Sequence, residues 1–231
     1  MQGEDKMKGK KLFITGIIFI ISFIIWTILI QTVDVQPVGV NGTNIGFATI
    51  NTWFHKLTGE NLIIYDITDW MGLIPILICM FFGIIGFIQL IRRKSIFKVD
   101  LDIILLGIYY IVVIFAYLIF EIIPINYRPV FIEGITEASY PSSTTLLVLS
   151  VMLTVSFQNN RRIKNVIIRK VINIIVVFFS LFMVIGRMVS GVHWLTDIIG
   201  SVIFSLGLYL IYKSVIMMFD KKRLAEANNG I

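Results

Sequence analysis

Long apolar runs separated by short polar stretches dominate this chain. Six stand out: Leu12–Ile30, Met71–Ile91, Leu101–Ile123, Pro141–Phe157, Val171–Val189 and Ile198–Met218. A helix needs about 20 apolar residues to cross the hydrocarbon core of a bilayer, and the runs match that length. None alternates strictly between apolar and polar positions, as a barrel strand would. The pattern predicts an all-α polytopic membrane protein with six transmembrane helices in one bundle. No internal repeat divides it, so residues 1–231 read as a single domain. In the longest connection, residues 31–70, Phe47, Ile50, Phe54 and Leu57 recur at helical spacing opposite Thr49, Asn51, Thr52, His55 and Lys56. That spacing predicts a short amphipathic helix lying in the membrane interface, with His55 on its solvated polar face. The first run exceeds the apolar core of a secretory signal and no small-residue cleavage site follows it, so it reads as a retained helix.

Composition sharpens this picture. Apolar residues make up 57% of the 231 positions and charged residues 15%, against about 25% charged in soluble domains. So few charges could not cover a soluble surface. The single Cys79 lies in an apolar run and reads as a packing residue. The net charge is +6, and its placement matters more than its size. Of 20 Lys and Arg, all but Lys56, Arg128 and Arg187 fall in the N-terminal tail, in the connections after the second and fourth runs, or near the C-terminus. Positively charged connections stay on the cytoplasmic side, which predicts that both termini are cytoplasmic. Topology then accounts for the basic charge, and no nucleic-acid partner is expected.

Polar residues are sparse on the other face, which makes them informative. Arg128-Pro129 follows the third run, and Ser142, Ser143 and Thr144 open the fourth beside Pro141, a residue suited to a first helical turn. A helix N-terminus offers free N–H groups and the positive end of a dipole, and hydroxyls there cap the helix or bind an anion. Arg187 stands near the outer end of the fifth run. His193 opens the sixth, and Asp197, four residues on, shares its helical face. A carboxylate so placed can hold one imidazole nitrogen and raise the basicity of the other. Guanidinium forks and helix N-termini both suit phosphate oxygens. The expected occupant is therefore a phosphoryl group, with His193 as nucleophile. There are 2 histidines, far apart in sequence, and no Cys/His cluster, Walker loop or dinucleotide motif, so neither a metal nor a cofactor is expected.

In these residues the chain resembles the type 2 phosphatidic acid phosphatase superfamily. The third family motif, Ser-Arg-x5-His-x3-Asp, is met by Arg187, His193 and Asp197, with Gly186 in place of Ser. The first, Lys-x6-Arg-Pro, is met by Arg128-Pro129, with Glu121 at the Lys position. The second, Pro-Ser-Gly-His, reads Pro141-Ser142-Ser143-Thr144, so Thr144 stands where the family has His. The motif region spans residues 121–197. The resemblance implies a metal-independent membrane lipid phosphatase or diphosphatase. His193 would form a phosphohistidine, Asp197 would orient it, and Arg128, Arg187, Ser142, Ser143 and Thr144 would hold the phosphate. The site would face outward from a cell membrane, by family analogy a bacterial plasma membrane, with a lipid phosphate of the bilayer as substrate. Thr144 cannot protonate a leaving group. A lipid alkoxide needs that proton far more than a phosphate leaving from a diphosphate, so polyprenyl diphosphates are favoured over phosphatidate or phosphatidylglycerophosphate. Glu133, Glu137 and Tyr140 are candidate substitute acids. Three other readings remain open: a phosphotransferase, a lipid-phosphate-binding or partner protein on the same scaffold, and, against the nearly uniform apolar helix interiors, a small transporter.

Overall fold

A computed structural model describes residues 2–132 and 134–228, with side chains over 7–132 and 134–219. The helices are α1 Gln2–Thr32, α2 Ala48–Thr58, α3 Leu62–Met71, α4 Leu73–Arg93, α5 Leu101–Ile122, α6 Ser143–Arg162, α7 Val166–Val189 and α8 Leu195–Asn228. The structure is 78% helical, and among the described residues there is no strand. Five segments are long and apolar enough to cross a membrane: Met7–Thr32, Leu62–Arg93, Leu101–Ile122, Val166–Val189 and Leu195–Phe219.

The predicted fourth run, α6, is not among those five. It starts at Ser143, two residues later than predicted, and carries Ser150, Thr154, Gln158 and Asn159. It is also the helix that α4, α5, α7 and α8 pack around. An enclosed helix needs no apolar face toward lipid, and its polar groups find protein partners. Tyr110 and Thr154 hydroxyls lie 2.9 Å apart, and Gln158 donates to the Tyr212 hydroxyl at 2.9 Å. The peripheral α1 does the opposite, exposing Ile14, Ile18, Ile21, Ile25 and Ile28. It runs along α8, with Gly9 facing Met218, Gly16 facing Ile211 and Phe23 stacked 4.2 Å from Phe204.

The connection 31–70 holds more structure than expected. Asn61 caps α3, accepting the Ile64 N–H, and α3 joins α4 through Gly72. The predicted helix α2 is present, with Ile50 and Leu57 of its apolar face and Thr49 and Lys56 of its polar face exposed. Trp53 and Leu57 are exposed, whereas Asn51 is buried and donates to Gly46 O and Thr196 Oγ1. His55, expected in solvent, has Nε2 3.1 Å from the Gly191 carbonyl. Asn51 and His55 thus turn inward to hold the start of α2 and the turn ahead of α8, while Phe47 stacks on Trp26 of α1. This corrects the expectation for His55.

The two ends of the bundle differ. One gathers the basic connections, with Arg93 2.7 Å from Asp100 and Arg162 2.6 Å from Asp102. The other gathers α2, α3, residues 123–142 and the α7–α8 turn, where the remaining sequence motifs meet.

Candidate active site

Local backbone pairing builds this end. Ser139 N–H donates to Asn126 O at 2.9 Å and Arg128 N–H to Glu137 O at 3.0 Å, so residues 126–128 lie beside 137–139. Asp197, in the first turn of α8, accepts the Trp194 N–H at 2.9 Å and closes that turn from within. Trp194 Nε1 donates to the Tyr127 carbonyl at 2.8 Å, tying the helix start to the same loop. Gly191 sits at φ 72°, and a Cβ there would lie 2.0 Å from Gly59 O, so only glycine fits this turn.

His193 is 3% exposed. Its Nδ1 lies 3.1 Å from the Ser139 carbonyl and 3.8 Å from Asp197 Oδ2. Both neighbours are acceptors, so Nδ1 carries the hydrogen and the Nε2 lone pair is free. Nε2 has no hydrogen-bond partner and faces a cavity of about 190 Å³, lined also by Tyr117, Glu121, Arg128, Glu137 and Ser143. Burial first, then the charges of Arg128 and Arg187, hold the imidazole well below its ordinary pKa. A neutral, oriented, unpartnered nitrogen is a nucleophile in waiting. The Ser139 carbonyl, rather than Asp197, makes the hydrogen bond to Nδ1.

The two arginines flank Tyr65 of α3, their guanidinium carbons 5.7 Å (Arg128) and 4.8 Å (Arg187) from its ring centre. Each faces a carboxylate: Arg128 Nε is 3.0 Å from Glu137 and Arg187 Nη2 is 3.3 Å from Asp69. Arg128 Nη1 and Arg187 Nε, both buried, have no hydrogen-bond partner. Gly186 makes the α3 contact feasible, since a Cβ there would lie 2.6 Å from Thr68 Cγ2. The glycine that replaces the family serine thus admits α3 against α7.

His193, Arg128 and Ser143 line one cavity, with Asp197 behind His193 and Arg187 reached through Tyr65. The other two expected phosphate contacts stand apart. Ser142 is fully buried, and its hydroxyl donates to Thr145 Oγ1 at 3.1 Å. Thr144 lines a neighbouring apolar crevice with Asp69 and Gly72. Glu121, at the family Lys position, does reach the His193 cavity. Glu133 lies outside the described residues. Tyr65, Asp69 and Ser139 escaped the sequence reading. An Asn61 cap followed by Tyr65 and Asp69 at helical spacing was the available signal for the first two.

An all-helical membrane bundle whose end cavity joins a buried histidine to an arginine defines a class, and the comparisons agree on it. The model of the PAP2 superfamily matches residues 79–221, and the chain belongs to that family. A solved structure of a transmembrane PAP2-type phosphatidylglycerolphosphate phosphatase from Bacillus subtilis is similar to this chain at 18% identity and TM-score 0.61. The match covers 90% of this chain and 96% of that one. At this identity the likeness bears on the fold. Comparison with curated protein sequences finds no match.

Proposed function

We propose that this PAP2-family membrane protein removes a phosphoryl group from a lipid phosphate, through a phosphohistidine formed on His193. The observation that carries the proposal is the unpartnered Nε2 of a buried His193 in a cavity shared with Arg128. Nε2 attacks phosphorus in line with the leaving oxygen, and the P–O bond breaks as the P–N bond forms. Nδ1 keeps its hydrogen, donated to the Ser139 carbonyl, and Asp197 stabilises the charge that develops on the ring. Arg128 contributes its free Nη1, Arg187 sits one ring away, and the N–H groups at the start of α6 near Ser143 supply further donors. Water then attacks the phosphohistidine and returns His193 to its neutral form. Thr144 stands away from the cavity, so no side chain at the second-motif position supplies an acid. That supports a leaving group of low basicity and hence a diphosphate lipid as the favoured substrate, while Glu137 and Tyr140, the candidate substitute acids, line the cavity and are the groups that would extend turnover to monophosphates.

The whole chain forms one domain, with α6 as a sixth, protein-enclosed span. The basic end faces the cytoplasm with both termini, which puts the His193 cavity on the extracytoplasmic face of a cell membrane. A binding role without turnover is the second reading, motivated by the displaced Thr144 and by the carboxylates already facing both arginines. Phosphate release by purified protein in detergent with a chelator separates the two. The panel is phosphatidate, phosphatidylglycerophosphate and a polyprenyl diphosphate, with His193→Ala as control. Release that needs His193 and is fastest on the diphosphate is expected. Equal rates on phosphatidate overturn the leaving-group argument, and silence on folded protein favours binding alone.

A further inference from the structure

Below the His193 cavity two crevices follow the α4–α5 seam, with the helices in close contact at Gly86, where a Cβ would lie 3.1 Å from Ile103 Cγ2. A crevice of about 490 Å³ shares Tyr117, Ser143 and Leu146 with the cavity, so the two are contiguous. A second crevice of about 520 Å³ shares Cys79 and Tyr110 with the first and continues toward the basic end. Along α4 the lining includes Leu73, Ile76, Cys79, Gly83, Gly86 and Leu90, which recur every three or four residues and form one stripe. From Leu73 to Leu90 that stripe covers about 26 Å at ~1.5 Å per residue, close to the ~30 Å of a bilayer's hydrocarbon core.

Two glycines keep the lower half open. A Cβ on Gly83 or Gly107 would meet nothing within 4 Å. Elsewhere in the bundle the glycines mark tight contacts, as at Gly186, where a Cβ would come within 2.6 Å of a neighbour. Gly83 and Gly107 bring no helices together; they widen a slot. Its upper end opens beside the one deeply buried, unpartnered imidazole of the candidate site, and its lining is almost wholly apolar.

We infer that the α4–α5 slot takes the tail of the phosphate-bearing lipid whose headgroup reaches His193, and that Gly83 and Gly107 make the protein selective for tail length. A slot between two neighbouring helices, running nearly the depth of the membrane, fits a single long polyprenyl chain. The two chains of a glycerolipid would leave one in bulk lipid. The inference rests on the lipid-phosphate reading above and adds to it the part of the molecule that measures the tail.

The test uses the full chain in detergent and two substrates with the same headgroup, farnesyl and octaprenyl diphosphate. Non-hydrolysable phosphonate analogues of both lengths serve for binding. Wild type is expected to favour the octaprenyl compound by about tenfold or more in both kcat/KM and affinity, since added buried CH2 groups strengthen binding. Gly107→Leu and Gly83→Leu fill the lower slot and are expected to weaken octaprenyl affinity about tenfold, raising its KM, while farnesyl affinity falls by only about twofold because its shorter chain relies on the upper slot. Equal affinity for the two lengths in wild type overturns the inference, as does a Leu variant that keeps the preference or loses both substrates equally. If length-dependent binding persists without any phosphate release, the phosphatase reading fails and the slot stands.

Discussion

Charge is handled in opposite ways at the two ends of this bundle. At the basic end Arg93 and Asp100 meet at 2.7 Å with 42% and 34% of their side-chain surfaces still exposed. At the other end Arg187 is 1% exposed, His193 3% and Asp197 0%. The first arrangement leaves solvation largely intact and holds connections in place. The second strips water from ionisable groups and then leaves Arg128 Nη1, Arg187 Nε and His193 Nε2 without partners. Buried polar atoms without partners destabilise a fold by about 1–3 kcal/mol each. A chain that keeps these three in one place has the geometry of a site awaiting a polyanion, whereas at the basic end Arg93 and Arg162 already have carboxylate partners.

Removing the proposed nucleophile is the hardest test of that contrast. His193→Ala should lower turnover by roughly 10⁴-fold or more, because no other unpartnered nitrogen of an uncharged ring faces the cavity. Its thermal midpoint should stay near wild type, since the lost ring makes one hydrogen bond, to Ser139 O. Phosphate release and a melting curve on the same preparation check both halves. Undiminished release would remove His193 from the mechanism.

Gly191→Ala should come next. The turn needs φ 72° and leaves 2.0 Å between a new Cβ and Gly59 O, a contact with backbone that no rotamer relieves. A loss of about 2–3 kcal/mol is expected, visible in thermal unfolding, with turnover falling as the turn that carries His193 shifts. Survival of both would mean that the α2–α3 junction does not set the site.

Much of this architecture could be read before any coordinates. Lipid-facing helices announce themselves by composition, so α1, α5 and α7 fell where the apolar runs lie. The spacing of Arg187, His193 and Asp197 pointed to this end of the bundle because one helix turn and its preceding loop are local in sequence. What escaped was tertiary. Nothing in residues 31–70 says that Asn51 and His55 turn inward, since an amphipathic pattern names two faces without saying which one the protein covers. The Ser139 carbonyl belongs to backbone, and no side-chain pattern reports it. The separation of Thr144 from the cavity follows from where α6 begins, two residues beyond the expected Pro141. The polarity of α6 likewise makes sense only once its neighbours enclose it.

Arg128→Gln should produce a smaller, directional effect on pH dependence. After burial, the Arg128 charge is the largest influence holding His193 well below its ordinary imidazole value of 6.5. In the proposed mechanism the neutral ring is the nucleophile, so activity should fall as pH drops through the folded-state value. Stability follows the same sign. With the folded value depressed, the unfolded chain binds the extra proton first, and this contribution is lost as pH falls below the ordinary imidazole range. Removing the cation should therefore move the acid limb of kcat/KM upward, toward 6.5, on top of a lower plateau. An NMR titration of the ring in ligand-free protein reads the same shift. An unmoved limb would show that the arginine charge is screened from the ring.

The smallest effect belongs at the other end, and its smallness is what makes it useful. Arg93→Gln removes an ion pair that water already reaches, and such pairs contribute about 0–1 kcal/mol. Turnover should be unchanged, and the thermal midpoint should drop only slightly. The drop should shrink further as salt is raised, because exposed charges are screened within roughly 10 Å at moderate ionic strength. Arg187, similar in its single near carboxylate but almost fully buried, should resist such screening when it is replaced. If instead Arg93→Gln unfolds the protein or halts turnover at every salt concentration, then the basic end is not the solvated anchor its exposure implies. The contrast between a completed end and a waiting one would have to be replaced by one in which charge at both ends holds the helices in register.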